Sequence, residues 1–339
     1  MGRTTIRESP MPHPLHPQQL IHLLLSLCCV PVWAAPPAFD LPIRCLPGQD
    51  CFIQNYFDRD PGDGWRDYAC GRLSYDGHTG TDFRLPGMAA MHQGVAVLAA
   101  ADGVIKSMRD GEPDIPVKML PGEPGSGMRA AGNGVVIDHG DGWETQYSHM
   151  RQGSVAVRIG QQVRAGEPLG LVGLSGNTEF PHVDFSVRHN GAALDPFSPS
   201  GANVCAIGPD TLWKPETQKI LRYQPTGLLL SGWSNALPER NTAENEGYPP
   251  PDRRSVLVFW VELFGVRQDD RQTFELFDPQ GRRILNSSST IPGDKAAWFA
   301  YAGKRPPPQG WPHGSYRAEF HLERKGAAIV TRSDHMEIP

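Results

Sequence analysis

Two short segments of the chain carry metal-ligand side chains at close spacing. One is Gly77-His78-Thr79-Gly80-Thr81-Asp82, the other Pro181-His182-Val183-Asp184-Phe185. A third, Tyr147-Ser148-His149-Met150, adds an imidazole between them in the chain. All three lie in sequence that otherwise reads as β. Zinc hydrolases use three protein ligands and leave one position for water. The metal lowers the pKa of that water to about 7. A spare imidazole can then take the proton, and another can donate to the developing oxyanion. A surplus of imidazoles and carboxylates over a three-ligand set is what such chemistry requires.

The elements around these residues decide whether they can meet. Val183, Phe185 and Val187 alternate with His182, Asp184 and Ser186, so a strand would present an imidazole and a carboxylate on one face. His78 and Asp82 would lie about 13 Å apart in a straight strand, and Gly77 and Gly80 make a helix poor. Both reach one ion only if the chain bends, and Gly80 permits the bend. Taken singly, His78 and Asp82 are a weak metal signal and His182 with Asp184 reads better as a solvated His–Asp pair; the three segments together point to a metal.

Residues 134–139 and 143–149, joined by Gly140-Asp141-Gly142, predict a hairpin with Trp143, Thr145, Tyr147 and His149 on one face. Residues 95–101, Asp102-Gly103 and 104–105 predict another. Glycines at 160, 166 and 170 punctuate further tight turns, and no useful helix is expected between 70 and 200. These turns are not phosphate loops, because no strand–loop–helix unit surrounds them. Residues 109–132 form a Pro/Gly-rich insertion suited to one wall of a cleft. A polar stretch, 234–254, reads as loop or linker. Beyond it, runs at 256–264, 273–277, 297–301, 316–322 and 328–331, with a turn at Asp278-Pro279-Gln280-Gly281, predict a small β-sandwich. His92, His139, His189, His313, His321 and His335 have no spacing that suggests a site.

The 339 residues suffice for two domains. With 37 Gly, 33 Pro and 20% charged residues, the composition is that of a loop-rich β protein and not of a disordered one. A net charge of −5 gives no basis for a nucleic-acid partner. Arg3 and Arg7, an apolar run at 20–32 and Val32-Trp33-Ala34 read as a signal peptide cleaved after Ala34. The run is short for a membrane span, so the expected product is exported and holds no stable span. Cys45, Cys51, Cys70 and Cys205 then remain, and an even number in an exported chain argues for disulfides. Three pairings are open. The intervening Leu-Pro-Gly-Gln-Asp favours Cys45–Cys51, which leaves Cys70–Cys205.

Across about residues 70–200 the chain resembles the M23 (lysostaphin-like) zinc metallopeptidases. The resemblance rests on residues 77–82, 95–104, 132–139, 145–150, 160–166 and 181–185, in that order. It implies an all-β, antiparallel metallopeptidase domain that cuts peptide bonds in peptidoglycan stems, cross-links or bridges. It further implies that His78 and Asp82 are the first two ligands of one zinc ion and that His149 and His182 are the catalytic histidines. The family's third ligand is a histidine two residues after the position of His182. Here that position is Asp184. A carboxylate can bind zinc at about 2.0–2.2 Å, but aspartate is shorter, makes the bound water less acidic and suits harder ions. Two readings follow. One is an exported zinc endopeptidase of the periplasm or extracellular cell envelope acting on peptidoglycan peptides. The other is a catalytically silent wall-binding or regulatory module. The expected boundaries are a signal at 1–34, the metallopeptidase domain at 35–215, a linker at 216–254 and the sandwich at 255–339.

Overall fold

Glycine and proline interrupt the chain before helices can propagate, and the apolar residues between them alternate with period two. Strands result. The computed structural model describes residues 1–2, 35–119, 130–201, 205–240, 242 and 247–339. The expected leader with its cleavage site, and residues 120–129 of the insertion, lie outside the described residues.

In chain order the first half holds β1 (Phe52–Asn55), β2 (Thr81–Arg84), β3 (Ala96–Leu98), β4 (Gly103–Arg109), β5 (Asn133–Gly140), β6 (Trp143–Met150), β7 (Gln162–Val163), β8 (Pro168–Leu171), β9 (His182–His189) and β10 (Ala192–Leu194). One antiparallel sheet runs β1-β2-β9-β6-β5-β4-β7, and β10 also pairs with β9. Val183, Phe185 and Val187 of β9 are fully buried with Tyr147 and Ile137 on the core face. The turn between β5 and β6 is left-handed at Gly140, Asp141 and Gly142. Two six-residue helices, α1 (Met88–Gln93) and α2 (Pro215–Ile220), flank the strands.

The hairpin expected at Asp102-Gly103 does not form. β3 pairs with β8, and β4 pairs with β5 and β7. A two-residue hairpin needs positive φ, and neither Asp102 nor Gly103 has it. The chain instead crosses from one sheet to the other through buried Ala99, Ala100 and Ala101. Ala100 N–H is held there by the Tyr147 hydroxyl at 2.8 Å.

The second half holds β11 (Gly227–Ser234), β12 (Leu257–Val266), β13 (Arg271–Phe277), β14 (Arg283–Thr290), β15 (Lys295–Lys304), β16 (Gly314–Arg324) and β17 (Ala327–Ile338). They form sheets ordered β11-β12-β15 and β14-β13-β16-β17, which share one apolar core. β11, and α2 apart from its first residue Pro215, fall within the stretch expected as linker. β12 is buried along nearly its whole length because both faces are covered. Leu257, Phe259, Val261 and Leu263 enter the core of the second half. Phe264 enters that of the first, with its ring 5.6 Å from Phe52. Residues Pro36–Pro339 therefore make one packed unit.

Both favoured disulfides are present, Cys45–Cys51 and Cys70–Cys205. The second ties the loop that leads to His78 to residues beyond β10. Among the described residues no helix is long and apolar enough to cross a membrane.

Candidate metal centre

Asp82 on β2 and Asp184 on β9 are direct cross-strand partners. His78 precedes β2 in a loop turned by Gly77 (φ 73°). One ligand atom each of His78, Asp82 and Asp184 lies within 4.8 Å of the others. His78 Nε2 stands 3.2 Å from Asp82 Oδ1, close to the edge of about 3.3 Å expected for a tetrahedron with bonds of about 2.0–2.1 Å. The bend that joins them rests on space at Gly80 and not on a left-handed backbone. A Cβ there would overlap Asp184 Oδ1 and stand 3.0 Å from Ser186 Oγ.

Main-chain carbonyls orient all three imidazoles. His78 Nδ1 donates to Tyr56 O (2.8 Å), His149 Nδ1 to Ser175 O (2.7 Å) and His182 Nδ1 to Phe180 O (3.0 Å). A carbonyl only accepts, so Nδ1 carries the proton in each ring and Nε2 is left for the site. Asp82 is steadied through its other oxygen, which accepts from Asn55 Nδ2 at 2.7 Å.

His149 reaches the site by breaking the alternation. Continued period two would send it into the core beside Tyr147. Its backbone is instead left-handed (φ 60°), a strained state for a non-glycine residue. The ring lies 4.5 Å from that of His182. His182 Nε2 is 3.5 Å from Asp82 Oδ1, but His182 stands outside the three-ligand group.

Burial and charge set the protonation states. Burial opposes a proton on His78, but Asp82 beside it outweighs burial and raises the imidazole to about 9. Burial also opposes ionisation of Asp82, yet His78 and His182 bring its carboxyl well below the usual range. Asp184 is pushed up, by burial and then by Asp82. His149 is pushed down to about 4 by burial and by His182. Burial lowers His182 as well. In the metal-free site, therefore, the His78 proton occupies the space between the ligands, while His149 and His182 are neutral at pH 7.

The residues fit a divalent cation. His78 Nε2 and Asp82 Oδ1 face each other at 3.2 Å but are buried without a well-formed hydrogen bond, and poorly satisfied polar atoms in such a place are costly. A cation would satisfy both. Sequence spacing gave no sign of three further residues here. Asn55 holds Asp82. Tyr75 lies against His78, ring centroids 4.5 Å apart and tilted by 31°, its phenol raised by partial burial and by Asp82 and Asp184. Phe180 lies 4.8 Å from the His182 ring.

Residues 76–196 match the model of peptidase family M23. They form an M23 domain. Over 121 residues the chain is 36% identical to the DD-carboxypeptidase/endopeptidase Mpg of Neisseria meningitidis serogroup B, covering 36% of this chain and 22% of that one. Over 62 residues it is 42% identical to the murein hydrolase activator EnvC of Escherichia coli, covering 18% and 14%. The chain thus spans about a fifth or less of these relatives' length. Among solved structures, a zinc-containing peptidase from Vibrio cholerae aligns over 48% of this chain and 39% of that one, at 23% identity and a TM-score of 0.31. The M23 match covers His78, Asp82, His149, His182 and Asp184 and ends before β11.

Proposed function

We propose that the chain is an exported zinc endopeptidase that hydrolyses peptide bonds in peptidoglycan stems or cross-links. The observation that carries this reading is the convergence of the His78, Asp82 and Asp184 ligand atoms beside two neutral imidazoles whose Nε2 atoms are left for the site. Mpg, named for its DD-peptidase activity, supports the substrate class. His78, Asp82 and Asp184 would hold the ion. When bound, zinc supplies Lewis acidity toward the scissile carbonyl and acidifies a water.

The chain's own groups supply the remainder. His149 and His182 both carry the proton on Nδ1, so each enters the reaction as a base at Nε2. Whichever accepts a proton becomes a cation that donates from Nε2. It can then stabilise the oxyanion or return the proton to the leaving amine. Tyr75 places a phenol near the two site carboxylates, where it remains a donor.

Asp184 favours a second reading, a catalytically silent wall-binding or regulatory module; the likeness to EnvC, by name a murein hydrolase activator, supports the regulatory form of it. Purified protein should carry one zinc and convert cross-linked muropeptides to monomers, resolved by chromatography and mass spectrometry. His149→Ala should abolish turnover and keep the metal. Wild type with neither stoichiometric metal nor cleavage would establish the second reading.

A further inference from the structure

A charged pair joins the two halves of the chain immediately behind the site. Arg84, at the end of β2, and Glu262, in the middle of β12, are both fully buried, and Arg84 Nη2 lies 3.3 Å from Glu262 Oε1. Arg84 Nη1 donates to Gln54 Oε1 at 2.5 Å. Glu262 Oε1 also accepts from Arg240 Nη2 at 2.6 Å. On the site side, Arg84 is the cross-strand partner of His182. Its guanidinium covers the Phe180 ring at 4.5 Å. That ring lies against the His182 imidazole, and the Phe180 carbonyl accepts the His182 Nδ1 proton.

Burying an ion pair is an inefficient way to join two domains, because apolar groups of the same volume do so as well or better. The Phe52–Phe264 contact across the same interface is of that apolar kind. What the charged pair adds is direction. A carboxylate fixes the plane of a guanidinium, and the fixed plane seats one aromatic face. Here that face belongs to the residue whose carbonyl sets the orientation of His182.

We propose that Glu262 is a positioning residue for His182, acting through Arg84 and Phe180, so that the C-terminal half of the chain is part of the proton-transfer apparatus. The proposal rests on the peptidase reading of the site. Loss of the Glu262 charge leaves Gln54 to hold one arm of the guanidinium and loosens its plane over the Phe180 ring, so the Phe180 carbonyl fixes His182 Nδ1 less well and Thr178 Oγ1, 3.2 Å from the same nitrogen, competes for it. The side chains of His78, Asp82 and Asp184 are not part of this chain of contacts. Turnover should therefore fall with little change in KM.

The test uses the full chain with Glu262→Gln, Phe180→Leu and the double variant. The readouts are kinetics on a cross-linked muropeptide dimer, zinc content, thermal midpoint, and 15N spectra of histidine-labelled metal-free protein. Glu262→Gln should lower kcat by about 10–100-fold, the range for groups that orient a reacting shell. KM should stay within about twofold and zinc content should be unchanged. The His182 Nδ1 signal should shift toward a tautomer mixture while that of His149 holds. The double variant should be no worse than the worse single one, because both break the same chain of contacts. If Glu262→Gln does not fold, Arg84→Lys replaces it; that variant keeps a charge for Glu262 but gives up the planar contact with Phe180. A lowered thermal midpoint with kcat and the His182 signal unchanged would overturn the proposal, as would additive losses in the double variant. If wild type shows no turnover, the peptidase reading fails, and the His182 signal alone decides the positioning role.

Discussion

Zinc entry into the metal-free site should displace one proton, and His78 should be its source. His78 Nε2 is both a ligand atom and the nitrogen that faces Asp82 at 3.2 Å. With Nδ1 already given to Tyr56 O, the ring holds its second proton on Nε2 until about pH 9. Zinc needs that nitrogen bare. At pH 7, about two units below the folded-state value, competition should weaken the apparent affinity about 100-fold, or about 2.7 kcal/mol. The dissociation constant should fall about tenfold per pH unit between pH 6.5 and 8.5, then level off. Isothermal titration calorimetry in buffers of different ionisation enthalpy counts the protons released. One from His78 is present in full at pH 6.5 and disappears above about 9. One from a metal-bound water would instead grow as pH rises through about 7. Near-zero release at pH 6.5, with an affinity independent of pH up to 8, would refute the His78–Asp82 ion pair.

Four further outcomes are expected. Asn55→Ala removes the hydrogen bond that orients Asp82, and zinc affinity by competition with a chelating dye should drop about 10–100-fold. Asp184→His should tighten zinc binding, because a neutral nitrogen reaches further from β9; weaker binding in the same assay would mean that Gly80 and Ser186 are fitted to a carboxylate. Breaking Cys70–Cys205 frees a span with a sequence separation of 135. By loop entropy it should cost about 5 kcal/mol, read from denaturant melts of a Cys70→Ser/Cys205→Ser variant. Metal-free protein should lose stability on the acid side through His149, whose folded value of about 4 lies below the unfolded 6.5. That contribution is complete above pH 6.5 and lost as pH falls to about 4, about 3 kcal/mol in all; His149→Gln should flatten the acid limb of the stability curve.

Period two makes a strand legible, and β9 shows how far that reaches. Its alternation placed His182 and Asp184 on one face and the apolar residues on the other, as the structure has them. The same rule misleads at His149, since nothing in a sequence announces a left-handed histidine. It misleads again at Asp102-Gly103, where a strand ending in small residues reads alike whether it turns back or crosses to a second sheet. β14 was silent because Arg283–Thr290 is mostly exposed and serine-rich, with no apolar face to alternate. The Arg84–Glu262 contact joins positions 178 apart, and neither residue belongs to a motif. In β12, Glu262 is a charged residue within an apolar run. It marks the face that meets the first half.

The carboxylate at position 184 changes the charge balance of the loaded site, and the rest of the centre has to answer for it. A dication with two carboxylates and one neutral imidazole carries no net charge. A set with two imidazoles and one carboxylate keeps one positive charge to offset an oxyanion. Under the proposed ligand set, the missing positive charge would come from a proton taken up during the reaction by His149 or His182. The geometry of both rings suits that role. They are neutral through burial, their Nδ1 protons are anchored on main-chain carbonyls, and their rings lie 4.5 Å apart. A proton on one discourages a proton on the other, since each lowers its neighbour's basicity. The pair therefore holds one proton at a time, placed where negative charge develops. Orientation of these rings then matters more in this chain than it would beside a positively charged metal set. A buried guanidinium spanning the two halves, seated behind His182, is intelligible in that light.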